Sequence, residues 1–377
     1  MTDNVRKVLV ATTVHNPQDN RVFLKQVASL RKAGWHVLYL CRRAGCPESS
    51  ERLTVLPVSM PRHRFLRILA GNLVLSWRAL FSGASVLHVH DPELFLVARL
   101  LSWRFHRVVI DLHELPHEQI RYKPYLRESL KRPLAFLVEA VLRVILYRAT
   151  VVVAESSYLE WVSRSASRTV LARNFPAIPH LPPPPLRQNG NASELRLGYV
   201  GVISRARCMD MVAAALRDVA HRLGKKVTLR LIGSFDSDEL EREVLSCNGV
   251  EYLGFRPNDE AQRLLAAVDI GISLTARTPN YDHSLSTKIP EYLLLGLPVI
   301  ASDNPINREL FADFPTVRMI DPGSRESFTA AVTTFDEAPP AVRLREDARH
   351  RVVSEMNWET EFARLLEIYE AAVEPRT

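Results

Sequence analysis

The sequence predicts an α/β protein built from two doubly wound, Rossmann-like domains, and three observations carry that prediction. Short apolar runs alternate with segments of helical period along nearly the whole chain, the pattern of strands buried on both faces of a parallel sheet. One Pro-rich stretch breaks the rhythm near the middle, and beyond it the same alternation begins again. A length of 377 residues suits two such domains.

In order, residues 7–12 read as the first strand, 20–32 as a helix that stops at Gly34, and 35–41 as the second strand. Further strands are expected at 53–58, 85–90, 108–113, 150–154 and 169–173, which completes an N-terminal domain over 1–176. The stretch PAIPHLPPPPLRQNGNASE cannot continue a helix or sit inside a sheet, so 177–194 is a connector, stiff first and flexible later. Strands then recur at 195–200, 227–232, 250–255, 270–274, 298–302 and 316–320, giving a second domain over 195–357 and leaving 358–377 as a closing helix. Ligands of such sheets bind at the carboxyl ends of the strands, which for two facing domains means the cleft.

Composition narrows the function classes. With 47% hydrophobic and 24% charged residues the chain has a soluble globular profile. It begins with neither a signal-peptide pattern nor a span of about 20 apolar residues, so the expectation is a cytoplasmic protein. The four cysteines form no CxxC pair and suit reduced structural thiols. A formal charge of +7 and a pI of about 9.3 invite phosphate-bearing partners. Nucleic acid is excluded, because no aromatic-interleaved basic stripe, RNP-like sequence or zinc-finger spacing is present. The densest basic regions, 62–77 and 121–148, interleave Arg and Lys with large apolar residues. They read either as amphipathic helices against the anionic inner face of the cell membrane or as buried helices with snorkelling arginines.

The most informative stretch is TARTPNYDHSLSTKIPEYLLLGLPVIAS, a strand, a loop, a short helix and a second strand. Lys288 and Glu291 share one face of the helix start, where anions are favoured and a carboxylate can accept both hydroxyls of a ribose. The chemistry is that of a nucleotide pocket, the alternative being an ordinary surface ion pair. No GxGxxG fingerprint occurs, which disfavours a nicotinamide or flavin dinucleotide. In the first domain His113 stands at the carboxyl end of the strand VVIDL with Glu114 beside it, better placed for function than most lone histidines. In HVHD, His88 and His90 share a strand face next to Asp91, and core packing is preferred there over metal binding for want of an evident third ligand.

Landmarks in register give the chain a resemblance to the retaining glycosyltransferases of family 4, with their two-Rossmann GT-B architecture. HNPQDNRVFLKQVASLRKAGWHV is similar to the family's first loop and helix, and HVHDPELFLVARLL with RVVIDLHE to its mid-domain strands. ARNFP resembles the way out of the first domain, and LGYVGVISRAR, LRLIGSF and VEYLGFRP the opening strands of the second. STKIPEYLLLGLPVIAS resembles the donor-binding signature, and NWETEFARLLEIYEAA the closing helix that returns to the first domain.

The resemblance implies transfer of a hexosyl group, with retention and without metal or other cofactor, from a nucleoside-diphosphate sugar, UDP-sugar being favoured. The acceptor it implies is a hydroxyl of a lipid-linked or cell-surface glycan precursor. Lys288, Arg205 and Arg207 would hold the diphosphate, Gly201 would let backbone approach it, and Glu291 would hold the ribose. His113 would stand near the reacting sugar, with Asn16, Asp19, Arg21 and Glu114 on the acceptor side. Two departures stand out. The first loop lacks the glycine pair found in many relatives, and the position eight before Glu291 is His283, preceded by Asp282, where a donor-sugar Glu is usual. Asp282 or His283 is expected to take that Glu's place. The competing expectations are a catalytically silent relative that serves as a binding partner and a sugar-nucleotide 2-epimerase.

Overall fold

A computed structural model describes residues 6–121, 126–178, 193–282 and 284–373. The chain divides into two compact units, Met1–Asn174 with Trp358–Thr377, and Phe175–Asn357. Most of the Pro-rich connector lies outside the described residues, as does His283.

In the first unit seven strands pair in parallel: β1 (Lys7–Ala11), β2 (His36–Arg42), β3 (Leu53–Val58), β4 (Val86–Val89), β5 (Arg107–Leu112), β6 (Thr150–Val153) and β7 (Arg168–Leu171). Their order is β3-β2-β1-β4-β5-β6-β7. Alternation along β1 sends Val8 and Val10 to one face and Leu9 and Ala11 to the other. The Leu9 face is covered by three helices, Arg64–Phe81, Pro92–Leu100 and Glu128–Leu146, through Leu75, Leu94 and Leu142. The Val8 face receives Val22 and Leu30 from 20–32 and Trp358, Leu365 and Tyr369 from the last helix, Trp358–Val373. That helix is fixed by the edge-on packing of Tyr369 against Trp35 and by a hydrogen bond from Trp358 Nε1 to Ser29 Oγ, 2.9 Å. Segment 20–32 starts as a π-helical turn, Asn20–Val27, whose first amides (Arg21 and Val22) are capped by Asp19 at 2.9 Å each.

The second unit holds six parallel strands: β8 (Glu194–Val200), β9 (Lys226–Ile232), β10 (Val250–Tyr252), β11 (Ile270–Ser273), β12 (Val299–Ser302) and β13 (Val317–Ile320). The order is β10-β9-β8-β11-β12-β13. The two doubly wound sheets are those the apolar runs predicted, except that β10 is shorter. It sits at a sheet edge, and the chain leaves it through Gly254 at φ +70°. Each sheet has one switch point, between β1 and β4 in the first unit and between β8 and β11 in the second. Connections depart from it in opposite directions and open a crevice at the carboxyl ends.

Close packing beside the second switch point depends on Gly271 in β11. A Cβ there would lie 2.5 Å from Tyr292 Cδ2, and the Tyr292 hydroxyl accepts the amide of Val200, 3.1 Å, at the end of β8. Gly271→Ala is therefore expected to overpack a rigid aromatic and lower stability by about 1–3 kcal/mol. Gly323→Ala, with nothing within 4 Å of the added carbon, serves as the control. Denaturant unfolding followed by circular dichroism checks the difference.

Candidate functional site

Two glycines form the floor of the crevice in the second unit. Gly201 (φ +125°) follows β8 and Gly233 (φ +146°) follows β9; a Cβ on Gly233 would sit 1.8 Å from the Gly201 carbonyl oxygen, so only glycine at 233 permits this approach. Lys288 lies across Gly201, with its Cε 3.0 Å and Nζ 3.4 Å from where a Cβ would be, and its ammonium stands 5.3 Å from the Tyr199 ring centroid. Arg207 lies 4.8 Å from the Tyr281 ring centroid. Burial, then repulsion from Arg207, against attraction from Glu291, pushes the Lys288 ammonium down to about 8. A cationic group is thus held over a backbone floor at a cost to its charged form.

The surrounding loop is tied to the sheet. Ser302 Oγ accepts the Thr275 amide, 2.7 Å, and donates to the Thr275 carbonyl, 3.0 Å, while Asn304 Nδ2 donates to the Tyr281 carbonyl, 3.2 Å. Asp282, half-buried, ends the short helix Pro279–Asp282 on this loop, and Glu291 stands in the first turn of Lys288–Leu294.

In the first unit the crevice is lined with histidines and two buried carboxylates. Asp91 follows β4 and accepts from the hydroxyl of Thr12, the amides of Thr13 and Val14, and His15 Nδ1 at 2.7 Å. Burial opposes ionisation, but the His15 bond and these amides hold Asp91 down to about 2, and Asp91 raises His15 above its ordinary value against the burial of the ring. The His15 ring lies 4.9 Å from that of His113. His113 is partly exposed, its Nε2 3.3 Å from His90 Nδ1 and 3.5 Å from Asp111 Oδ1.

Asp111 is fully buried at the end of β5. Arg21 donates to both its oxygens, at 3.1 and 3.4 Å, and Gln26 adds a third bond. Burial alone would raise its carboxyl, but Arg21 and His113 hold it well below the carboxylate range. His88 Nδ1 meets the Tyr369 hydroxyl at 2.5 Å, which leaves Nε2 facing Asp111 at 3.8 Å, and burial drives the His88 ring well below its ordinary value. The third ligand that the sequence lacked is therefore Asp111, since His88, His90 and Asp111 bring donor atoms within 4.8 Å of one another. A guanidinium already in contact with that carboxylate supplies the charge a cation would bring, and the cluster is a packed polar network.

The expected residues divide accordingly. Gly201, Lys288 and Arg207 come together. Arg205, expected beside them, instead pairs with Asp210 at 3.0 Å and Glu243 at 2.5 Å on an exposed surface, because the single turn Arg205–Arg207 points alternate side chains apart. On the acceptor side Arg21 is turned inward, with Asp111 and the Ala172 carbonyl (2.8 Å) as partners, so it is a structural cation rather than a ligand contact. Asp19 spends Oδ1 on its helix cap, whereas Asn16 and Glu114 are exposed. Sequence reasoning missed Tyr199, Tyr281 and Gly233 around Lys288, and His15 beside His113. The position of His15 between a strand end and a helix start was the available signal for the last.

Two family models cover most of the chain, Glycosyltransferase Family 4 over residues 20–169 and Glycosyl transferases group 1 over 194–336. The chain is a group 1, family-4-like glycosyltransferase. No curated protein matches it by sequence. Among solved structures it is similar to sucrose-phosphate synthase from Thermosynechococcus elongatus (19% identity, TM-score 0.73, covering 97% of this chain and 98% of that one). It is also similar to Anabaena Alr3699/HepE in complex with UDP and glucose (15%, 0.67, 97% and 99%). A third is a UDP-forming trehalose-phosphate synthase from Burkholderia xenovorans (11%, 0.70, 98% and 100%). These likenesses show the GT-B fold.

Two outcomes follow from the geometry. Arg21→Ala leaves Asp111 buried without its guanidinium and is expected to cost about 3–5 kcal/mol, read as a lowered unfolding midpoint. Lys288→Met is expected to stabilise the ligand-free protein at pH 7. The folded state holds the Lys288 proton less tightly than the unfolded state, so the wild type gains stability as pH rises from about 8 to the ordinary lysine value of 10.5. The advantage of the variant should vanish over that window, and thermal melts from pH 7 to 10.5 check it.

Proposed function

We propose that this glycosyltransferase moves a hexosyl group from a UDP-sugar to a hydroxyl acceptor with retention of anomeric configuration and without a metal. The observation that carries this reading is the Lys288 ammonium held across Gly201 at the carboxyl end of β8, with Arg207 near enough to depress it. A diphosphate placed there would repay the cost of burying that charge and would be stabilised most as it departs. Glu291 takes the ribose hydroxyls, and Asp282 or His283 takes the sugar hydroxyls that a Glu holds in many relatives. Preference for UDP is supported by the UDP complex of the Anabaena neighbour and the UDP-forming activity of the Burkholderia one.

In the proposed reaction the bond between the anomeric carbon and the diphosphate oxygen breaks as the acceptor oxygen bonds to the same face of that carbon. The acceptor proton passes to the departing diphosphate. His113 serves the reacting sugar, and Asn16 and Glu114 serve the acceptor, a lipid-linked or cell-surface glycan precursor met at the cytoplasmic face of the membrane. The basic apolar helices of the first unit support that choice of acceptor.

Release of nucleoside diphosphate from UDP-, GDP-, dTDP- and ADP-sugars tests the reading. Selective release with one donor is expected, reduced about 10²–10³-fold by Lys288→Ala and strongly by Glu291→Ala. UDP binding should weaken as pH rises past about 8, where Lys288 loses its proton, and Lys288→Met should abolish that dependence. Wild-type turnover in both alanine variants would sink the site, and absence of both release and nucleotide binding would favour a silent binding protein.

A further inference from the structure

The three helices on the Leu9 face of the first sheet lie side by side, Arg64–Phe81 against Pro92–Leu100 and that helix against Glu128–Leu146. A helix that covers a sheet ordinarily turns polar residues outward. These do not. Leu73 is 72% exposed, Trp77 65% and Phe136 74%, and Trp103, on the turn Leu101–Arg104 that follows the middle helix, is 74% exposed. Between the second and third helices a groove of about 690 Å³ is lined by Leu96, Leu100, Val144 and Tyr147, with Arg99 and Arg143 beside them. A protein surface seldom leaves so much contiguous apolar area in water without a partner.

Charge specifies the partner. Residues 62–81 contain four arginines and no Asp or Glu. The acids on the neighbouring helices are already engaged: Glu93 by Arg67 at 2.9 Å, Glu139 by Arg143 at 2.8 Å, and Glu128 by Lys131 at 2.8 Å. Arg62, Arg78 and Arg132 remain exposed. A broad apolar face with a cationic surround matches an interface that is hydrocarbon below and anionic above. Among the described residues no helix is long and apolar enough to cross a membrane. We propose that this three-helix face docks onto the surface of an anionic phospholipid bilayer, with Leu73, Trp77 and Phe136 seated at the acyl boundary and the arginines against headgroup phosphates.

The proposal needs no donor and no turnover, so it stands or falls apart from the reaction. Full-length protein is floated with vesicles of phosphatidylcholine and phosphatidylglycerol (7:3) and with pure phosphatidylcholine vesicles at 0.15 M salt. Co-flotation with the anionic vesicles is expected, at least tenfold weaker on the neutral ones. A Leu73→Ser, Trp77→Ser, Phe136→Ser variant, altered only at exposed positions and checked for an unchanged melt, should lose co-flotation. Arg62→Gln and Arg78→Gln should each weaken it by about fivefold. Equal binding to both vesicles, or none to either, overturns the proposal. So does a wild-type dimer in solution that the triple substitution converts to monomer, which would assign the face to a second copy of the chain.

Discussion

Burying a carboxylate costs several kcal/mol unless donors surround it, and the first unit is assembled around one that meets this condition. Asp111 stands near the end of β5, one strand away from the switch point, and its donors converge from several elements: Arg21 and Gln26 from the helix after β1, His90 from the end of β4, His113 from just beyond its own strand. His88 then connects this centre to Tyr369 on the last helix. One buried charge thus fixes the position of the first helix and the rear face of His113. The partly exposed His113 ring is held from behind by groups that do not reach solvent, which is how a side chain at a site is kept in one rotamer.

The second unit solves a different problem. Its crevice places a positive centre close to backbone, and two strand ends approach within contact distance to make the floor. Gly233 permits the approach, and the absent Cβ of Gly201 is the space that the Lys288 stem occupies. The resulting ammonium is depressed to about 8, so the empty site is less stable than a neutral one would be. Strain of this kind is retained where a ligand relieves it.

These two solutions explain what the sequence disclosed. Strands buried on both faces are written as apolar runs, so both sheets could be read with small errors at their ends. Gly201 and Lys288 were singled out because a glycine at a strand end and a lysine at a helix start each imply a geometry, and the structure brings the two side by side. Arg205 and Arg207 were not separable, since which of two arginines in one turn faces the crevice depends on the winding of that turn and on the acids Asp210 and Glu243 that capture the first. Asp111 was hidden inside VVIDL, where one acid in an apolar strand gives no hint of a partner 90 residues earlier. Arg21 was misread for the same reason, because an arginine near a helix start looks solvent-facing until its buried carboxylate is known.

The histidine crevice and the apolar helix face of the first unit belong to one structural element. Asp91, which orients His15, is immediately followed by Pro92–Leu100, the middle helix of the exposed face. At 1.5 Å per residue this nine-residue helix is about 13 Å long. Leu96 and Leu100, on its exposed side, therefore lie within one helix length of the carboxylate at its start. Apolar surface of this extent costs solubility, and the strand and loop that fix Asp91 also fix the first turn of a helix whose outer side is left apolar.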